Sequence, residues 1–203
     1  FDAFTNGSKT TPTDAYAWAQ GKPITGSGGP EMQVRTPLDF YMVADHAEYM
    51  GVMRELVNAN KGLLDASFAR RWQVYLEDSD MGAIVAEFSG SIERTLDYVN
   101  TIPEPFEAEI WSEVNVAAER HNEPGTFTAF IGYEWTSVPK GFNLHRNVIL
   151  RDNGDRALQV VPMVTQPPVG STDPLDLYQW LDDYESKTGG QALAISHNGN
   201  LSN

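Results

Sequence analysis

The chain has 203 residues, 41% of them hydrophobic and 11% aromatic, the composition of a folded globular protein with room for a sizeable core. Acidic residues outnumber basic ones 28 to 14, for a formal charge of −14; such a surface repels phosphate backbones and anionic lipid, which argues against nucleic-acid and membrane partners. There is no cysteine, so disulfides and thiolate metal sites are excluded, and any metal must rest on His, Asp, Glu and water.

Thr11-Pro12-Thr13-Asp14 opens a short helix through about Gln20, with Thr11 as cap, Pro12 at the first helical position and Asp14 in the first turn. Residues 21–30 hold four glycines and two prolines and read as a loop. Leu38 to Ala44 is apolar and β-prone, a buried strand ending at Asp45-His46. Residues 47–71 look helical, with a break at Gly62. Met81 to Val99 is a clearer helix, because Ile84, Phe88, Ile92 and Leu96 recur at a spacing of four. Pro103 and Pro105 precede another helix, from about Phe106 to His121.

Thr126 to Gly132 reads as a strand and Leu144 to Arg151 as a second, joined as a hairpin by a polar, Pro- and Gly-containing segment. Residues 152–173 are irregular. Asp173-Pro174 starts a helix to about Lys187, stopped at Gly189-Gly190, and Gln191 to Ser196 is a last short strand ending at His197. Strands alternating with helices predict an α/β fold, an incomplete barrel of mostly parallel strands with surrounding helices. No apolar run approaches the roughly 20 residues of a membrane span. The ends, Phe1-Asp2-Ala3-Phe4 and Leu201-Ser202-Asn203, read as truncations, which leaves localisation open.

The four histidines are not scattered evenly along this pattern. His46 and His197 follow strands, and so does Glu134. His145 begins the return strand that would bring it back beside Glu134. Strand ends that converge on one rim are where α/β barrels build their sites, and three imidazoles with a carboxylate there suit Zn²⁺, Mn²⁺ or Fe²⁺. Each taken singly also reads as a hydrogen-bonded structural residue. His121, at a helix C-terminus, reads as a surface residue that complements the dipole and stays outside the site.

Asp45-His46-Ala47-Glu48, Gly132-Tyr133-Glu134-Trp135-Thr136-Ser137, Asn143-Leu144-His145-Arg146-Asn147 and Ser196-His197-Asn198 occur in that order. Together they resemble an uncharacterised bacterial family related to the PHP (polymerase and histidinol phosphatase) metal-dependent hydrolases. The resemblance implies a distorted, TIM-like barrel carrying two or three divalent ions, with His46, Glu134, His145 and His197 as ligands. Glu134 would bridge two ions, and Asp2 falls near the position of a further ligand. Asp45 would act on the catalytic side by orienting its neighbour. Arg146 and the amides of Asn198 and Asn200 are the candidate substrate contacts.

The family's His-x-His motif, expected upstream of Phe1, and its late Asp-x-His motif, expected beyond Asn203, are absent. The chain is therefore expected to be a single partial domain over residues 1–203, lacking the first strand and the C-terminal part of the barrel. On that reading the fragment holds no metal or only part of its complement, is inactive by itself, and self-associates through its exposed edges. The complete protein is expected to be a hydrolase acting through metal-activated water on a small, phosphorylated substrate. Hydrolysis of an amide or another ester, or an inert binding or structural barrel domain, are the alternatives.

Overall fold

A computed structural model describes residues 2–26, 29–58, 63, 67–92, 102, 104–167 and 169–197. A four-stranded sheet lies at its centre, in the order β3-β4-β5-β6: Phe40–Met42, Thr128–Trp135, Arg146–Leu150 and Ala192–Ser196. β1 (Ile24–Thr25) and β2 (Glu31–Met32) form a separate two-stranded antiparallel pair inside the expected loop. The helices are α1 (Asp2–Thr5), α2 (Pro12–Ala19), α3 (Val52–Val57), α4 (Ser67–Glu77), α5 (Met81–Ile92), α6 (Glu104–His121), α7 (Gly154–Ala157) and α8 (Pro174–Thr188).

The expectation of a barrel of mostly parallel strands is overturned. Among the described residues β3 and β4 are the one parallel pair of the sheet; β4 with β5 and β5 with β6 are antiparallel, and no barrel closes. The cause is local. The β4–β5 link, residues 136–145, holds one short 3-10 turn, Pro139–Gly141, and a parallel return needs a crossover of a dozen or more residues, usually with a helix. Because β5 is reversed and β6 is reversed again, β3, β4 and β6 run in one direction and their C-terminal ends meet the N-terminal end of β5.

The local rules account for most of the helices. Thr11 and Asp14 form a capping box, with Thr11 N donating to Asp14 Oδ2 at 2.7 Å and Asp14 N donating to Thr11 Oγ1 at 3.3 Å. Asp173 caps α8 by accepting from Leu175 N, and Gly189 ends it in the left-handed region at φ 66°. The stretch after His46 is less helical than its composition predicts, turning at Gly51 (φ 73°) before the short α3. The expected break at Gly62 and the turns expected over 93–99 lie outside the described residues.

β4 runs further than the sequence predicts, through Tyr133, Glu134 and Trp135. Gly132, which reads as a strand end, is instead a point of close approach: a Cβ there would stand 2.1 Å from Met42 Sδ and 2.4 Å from Val148 O. One face of β4 packs on α6, where the rings of Trp111 and Tyr133 meet edge-on at 6.0 Å and Trp111 Nε1 donates to Ala157 O. α2 is pinned to the same strand by the Tyr16 hydroxyl, which donates to Phe130 O; burial pushes that hydroxyl's pKa up to about 12. A second aromatic group, Tyr49, Phe68, Trp72 and Phe88, joins α4 and α5 beyond the C-terminal end of β3.

His121 is not the surface residue its helix-end position predicts. It is buried, stacked on Tyr16 at 5.7 Å with its Nδ1 2.9 Å from Gln20 Oε1, and burial together with Lys22 and Arg120 lowers its pKa. Among the described residues no helix is long and apolar enough to cross a membrane.

Candidate metal centre

The end of the sheet where β3, β4 and β6 terminate gathers the candidate ligands. β3 does not stop cleanly at Met42; the chain stays beside β4, with Glu134 N donating to Asp45 O and Ala47 N donating to Glu134 O, both at 2.8 Å. His46 and Glu134 thus sit in a parallel bridge. On the far side of β4, Trp135 pairs with Arg146, and Arg146 pairs with Ser196. One more antiparallel step sets His145 against His197, whose N donates to His145 O at 3.1 Å.

The side chains converge on Glu134, which is 8% exposed. Its Oε1 lies 2.6 Å from His145 Nδ1 and 3.6 Å from His197 Nε2, while its Oε2 lies 3.2 Å from His46 Nδ1. His46 is fixed from two further directions: Thr136 Oγ1 is 2.6 Å from its Nδ1, and Asp2 Oδ2 is 3.4 Å from its Nε2. Burial works against a protonated His46, but Asp2, Glu134 and Glu48 more than offset it, so its pKa is raised. Reciprocally, the hydrogen bond to His46 holds Asp2 below the usual carboxylate range.

Glu134, His145 and His197 could hold a metal ion, each offering one atom, all within 4.8 Å of one another. Donors about 2.1 Å from one tetrahedral ion stand about 3.4 Å apart, so a pair at the 4.8 Å limit would close by about 1.4 Å around an ion. His145 Nε2 is buried without a hydrogen-bond partner, an arrangement that costs free energy unless something else binds there. The donor set is imidazole and carboxylate throughout.

The remaining predicted residues fall elsewhere. Asp45 lines a different cavity of about 490 Å³ with Arg54, Ile110 and Arg120. The ring of His46 is oriented instead by Thr136, Glu134 and Asp2. Arg146 donates from Nη1 to the carbonyls of Leu144 and His145 at 2.7 and 3.0 Å. Asn198 and Asn200 lie outside the described residues. Two residues were missed. Thr136 holds the His46 ring, and its place two residues beyond Glu134 in the Gly132–Ser137 motif was the available signal. Glu48 is fully buried and accepts from Thr165 N at 2.9 Å, and burial raises its pKa; a carboxyl two residues after His46 in the same motif was legible, but its burial was not.

No curated protein and no solved structure matches the chain. The family described as protein of unknown function (DUF3604) matches residues 1–203, and this chain belongs to it.

Proposed function

We propose that this protein is a metal-dependent hydrolase with phosphate esters as its substrate class. The observation that carries the reading is the convergence of His145 Nδ1 and His197 Nε2 on one oxygen of the buried Glu134. The motif resemblance to PHP-like hydrolases points the same way. Zn²⁺, Mn²⁺ and Fe²⁺ are the ions this donor chemistry favours. His46 Nε2 and Asp2 Oδ2, 3.4 Å apart, would offer two donors to a second ion.

When bound, such an ion polarises a substrate oxygen and acidifies water. The chain's own residues supply the rest. Glu134 places a negative charge between three imidazoles, Thr136 fixes the His46 ring so that Nε2 faces Asp2, and the His145 and His197 backbones hold their rings in register. A second reading, hydrolysis of an amide or carboxylic ester by the same centre, is favoured by Arg146, whose Nη1 turns back onto the carbonyls of Leu144 and His145.

The test is elemental analysis of protein loaded with Zn²⁺ or Mn²⁺, followed by assay on p-nitrophenyl phosphate, bis-p-nitrophenyl phosphate and p-nitrophenyl acetate. In the complete protein, retained metal and turnover that His145→Ala and His197→Ala both abolish are expected. Turnover on the acetate alone would select the second reading. No retained metal, or turnover indifferent to both substitutions, would remove the centre from the reaction.

A further inference from the structure

Beside the cluster a cavity of about 380 Å³ opens between α1 and α5, with His46, His145 and Thr136 in its lining. Val85, Phe88 and Ile92 from α5 and Val138 from the β4–β5 link supply its apolar wall. That wall reaches the candidate ligands directly, since the Phe88 ring stands 5.6 Å from the His46 ring.

Several polar groups of the lining are already engaged, although His145 Nε2 has no hydrogen-bond partner. Thr5 Oγ1 and Asn6 Nδ2 both donate to Asp2 O, at 3.0 and 2.9 Å, and Thr136 Oγ1 is held on His46 Nδ1. Asp2, the cavity's carboxylate, faces His46. No Lys or Arg lines the cavity among the described residues, and the chain as a whole carries −14. An anionic arm would find no lysine or arginine there, whereas an apolar arm would cover Val85, Phe88, Ile92 and Val138.

Resting on the reading of Glu134, His145 and His197 as the reacting centre, we propose that this cavity receives an uncharged apolar arm of the substrate, an aryl or branched alkyl group adjoining the bond that is broken. Val85 stands at the exposed side of the wall, 42% accessible, and so offers a place to change the cavity's charge without disturbing the core.

Three hydroxamates share one chelating head and differ in the arm: acetohydroxamate, 4-methylbenzohydroxamate and 4-carboxybenzohydroxamate. Their affinities are measured by calorimetry on zinc-loaded and on chelator-stripped protein. The 4-methylbenzo compound is expected to bind about tenfold more tightly than either of the others, the scale on which an apolar pocket discriminates. Val85→Arg is expected to strengthen the 4-carboxy compound and close that gap; Ser89→Arg, also exposed and in the same lining, provides a second variant with the same expected outcome. Equal affinities for the three arms, tightest binding of the carboxylated one, or no response to either arginine would overturn the proposal. If zinc makes no difference while the order of the arms persists, the metal reading fails and the assignment of the apolar arm stands.

Discussion

Replacing Glu134 by Gln keeps the side chain's shape and removes the charge on which His145 and His197 converge. A zinc site with a full ligand set is worth roughly 10–16 kcal/mol, so one ligand of four carries about 3 kcal/mol, or about 140-fold in affinity. At a metal concentration about 100 times the wild-type dissociation constant, binding stabilises the native state by about 2.7 kcal/mol. In a domain of this size that raises the melting temperature by roughly 5–10 °C. The same concentration is only about 0.7 of the variant's dissociation constant, which leaves about 0.3 kcal/mol and a shift of about 1 °C or less. Thermal melts of both proteins with and without Zn²⁺, each in the same buffer, make the comparison. An equal metal-induced shift in Glu134→Gln would refute the assignment of this carboxylate as a ligand. A lower melting temperature for the variant without metal would report on the lost contacts with His145 and His46.

Thr136→Val removes the hydroxyl 2.6 Å from His46 Nδ1 and should weaken metal binding about 10–100-fold, read by competition with a chromophoric chelator; unchanged affinity would show that His46 needs no such support. Asp152 tests stability rather than function: burial pushes its carboxyl up, but the Gln191 amide, Arg156 and the Tyr184 hydroxyl outweigh it and hold the pKa below the ordinary range. With the folded value depressed, its contribution is present above the unfolded pKa of about 3.9 and is lost as pH falls through the folded value. Asp152→Asn should therefore cost about 1–3 kcal/mol near neutrality and flatten the acid limb of a urea-unfolding pH series, whereas parallel curves for the two proteins would contradict the linkage. β6 pairs with β5 alone among the described residues and exposes Leu193 and Ile195 at 49% and 51%, so concentrated protein should self-associate through that edge and Ile195→Lys should return it to a monomer by light scattering.

The sequence was most readable where local chemistry decides. The Thr11 capping box, the Asp173 cap and the glycine stop at Gly189 are short-range devices, and the helices they bound stand close to where they were expected. The strand β4 was cut short because Gly132 and the polar Glu134 look like an ending, whereas the glycine is demanded by Met42 and Val148 O on neighbouring strands. The parallel barrel was an error of the same origin. Alternating strands and helices do not state the direction in which a strand returns; the short link 136–145 did, and reading it as a hairpin already implied a mixed sheet. For the site, strand-end positions brought His46, Glu134, His145 and His197 to one end of the sheet even though the barrel was wrong, because that inference needs only co-directional strands and one reversed neighbour. The cavity beside them was not legible, since its wall comes from α5, distant in sequence and patterned as ordinary core.

The antiparallel step between His145 and His197 makes the centre a gauge of strand alignment. Successive residues of a strand face opposite ways, so sliding β6 past β5 by a single position would carry the His197 imidazole to the other side of the sheet while most of the ladder could re-form. A residue inserted within Ala192–Ser196 should then give a protein that keeps its secondary structure and loses its third donor. Lengthening the connection over 158–173 should spare the centre, because that segment sets how far the chain travels and not which way His197 looks.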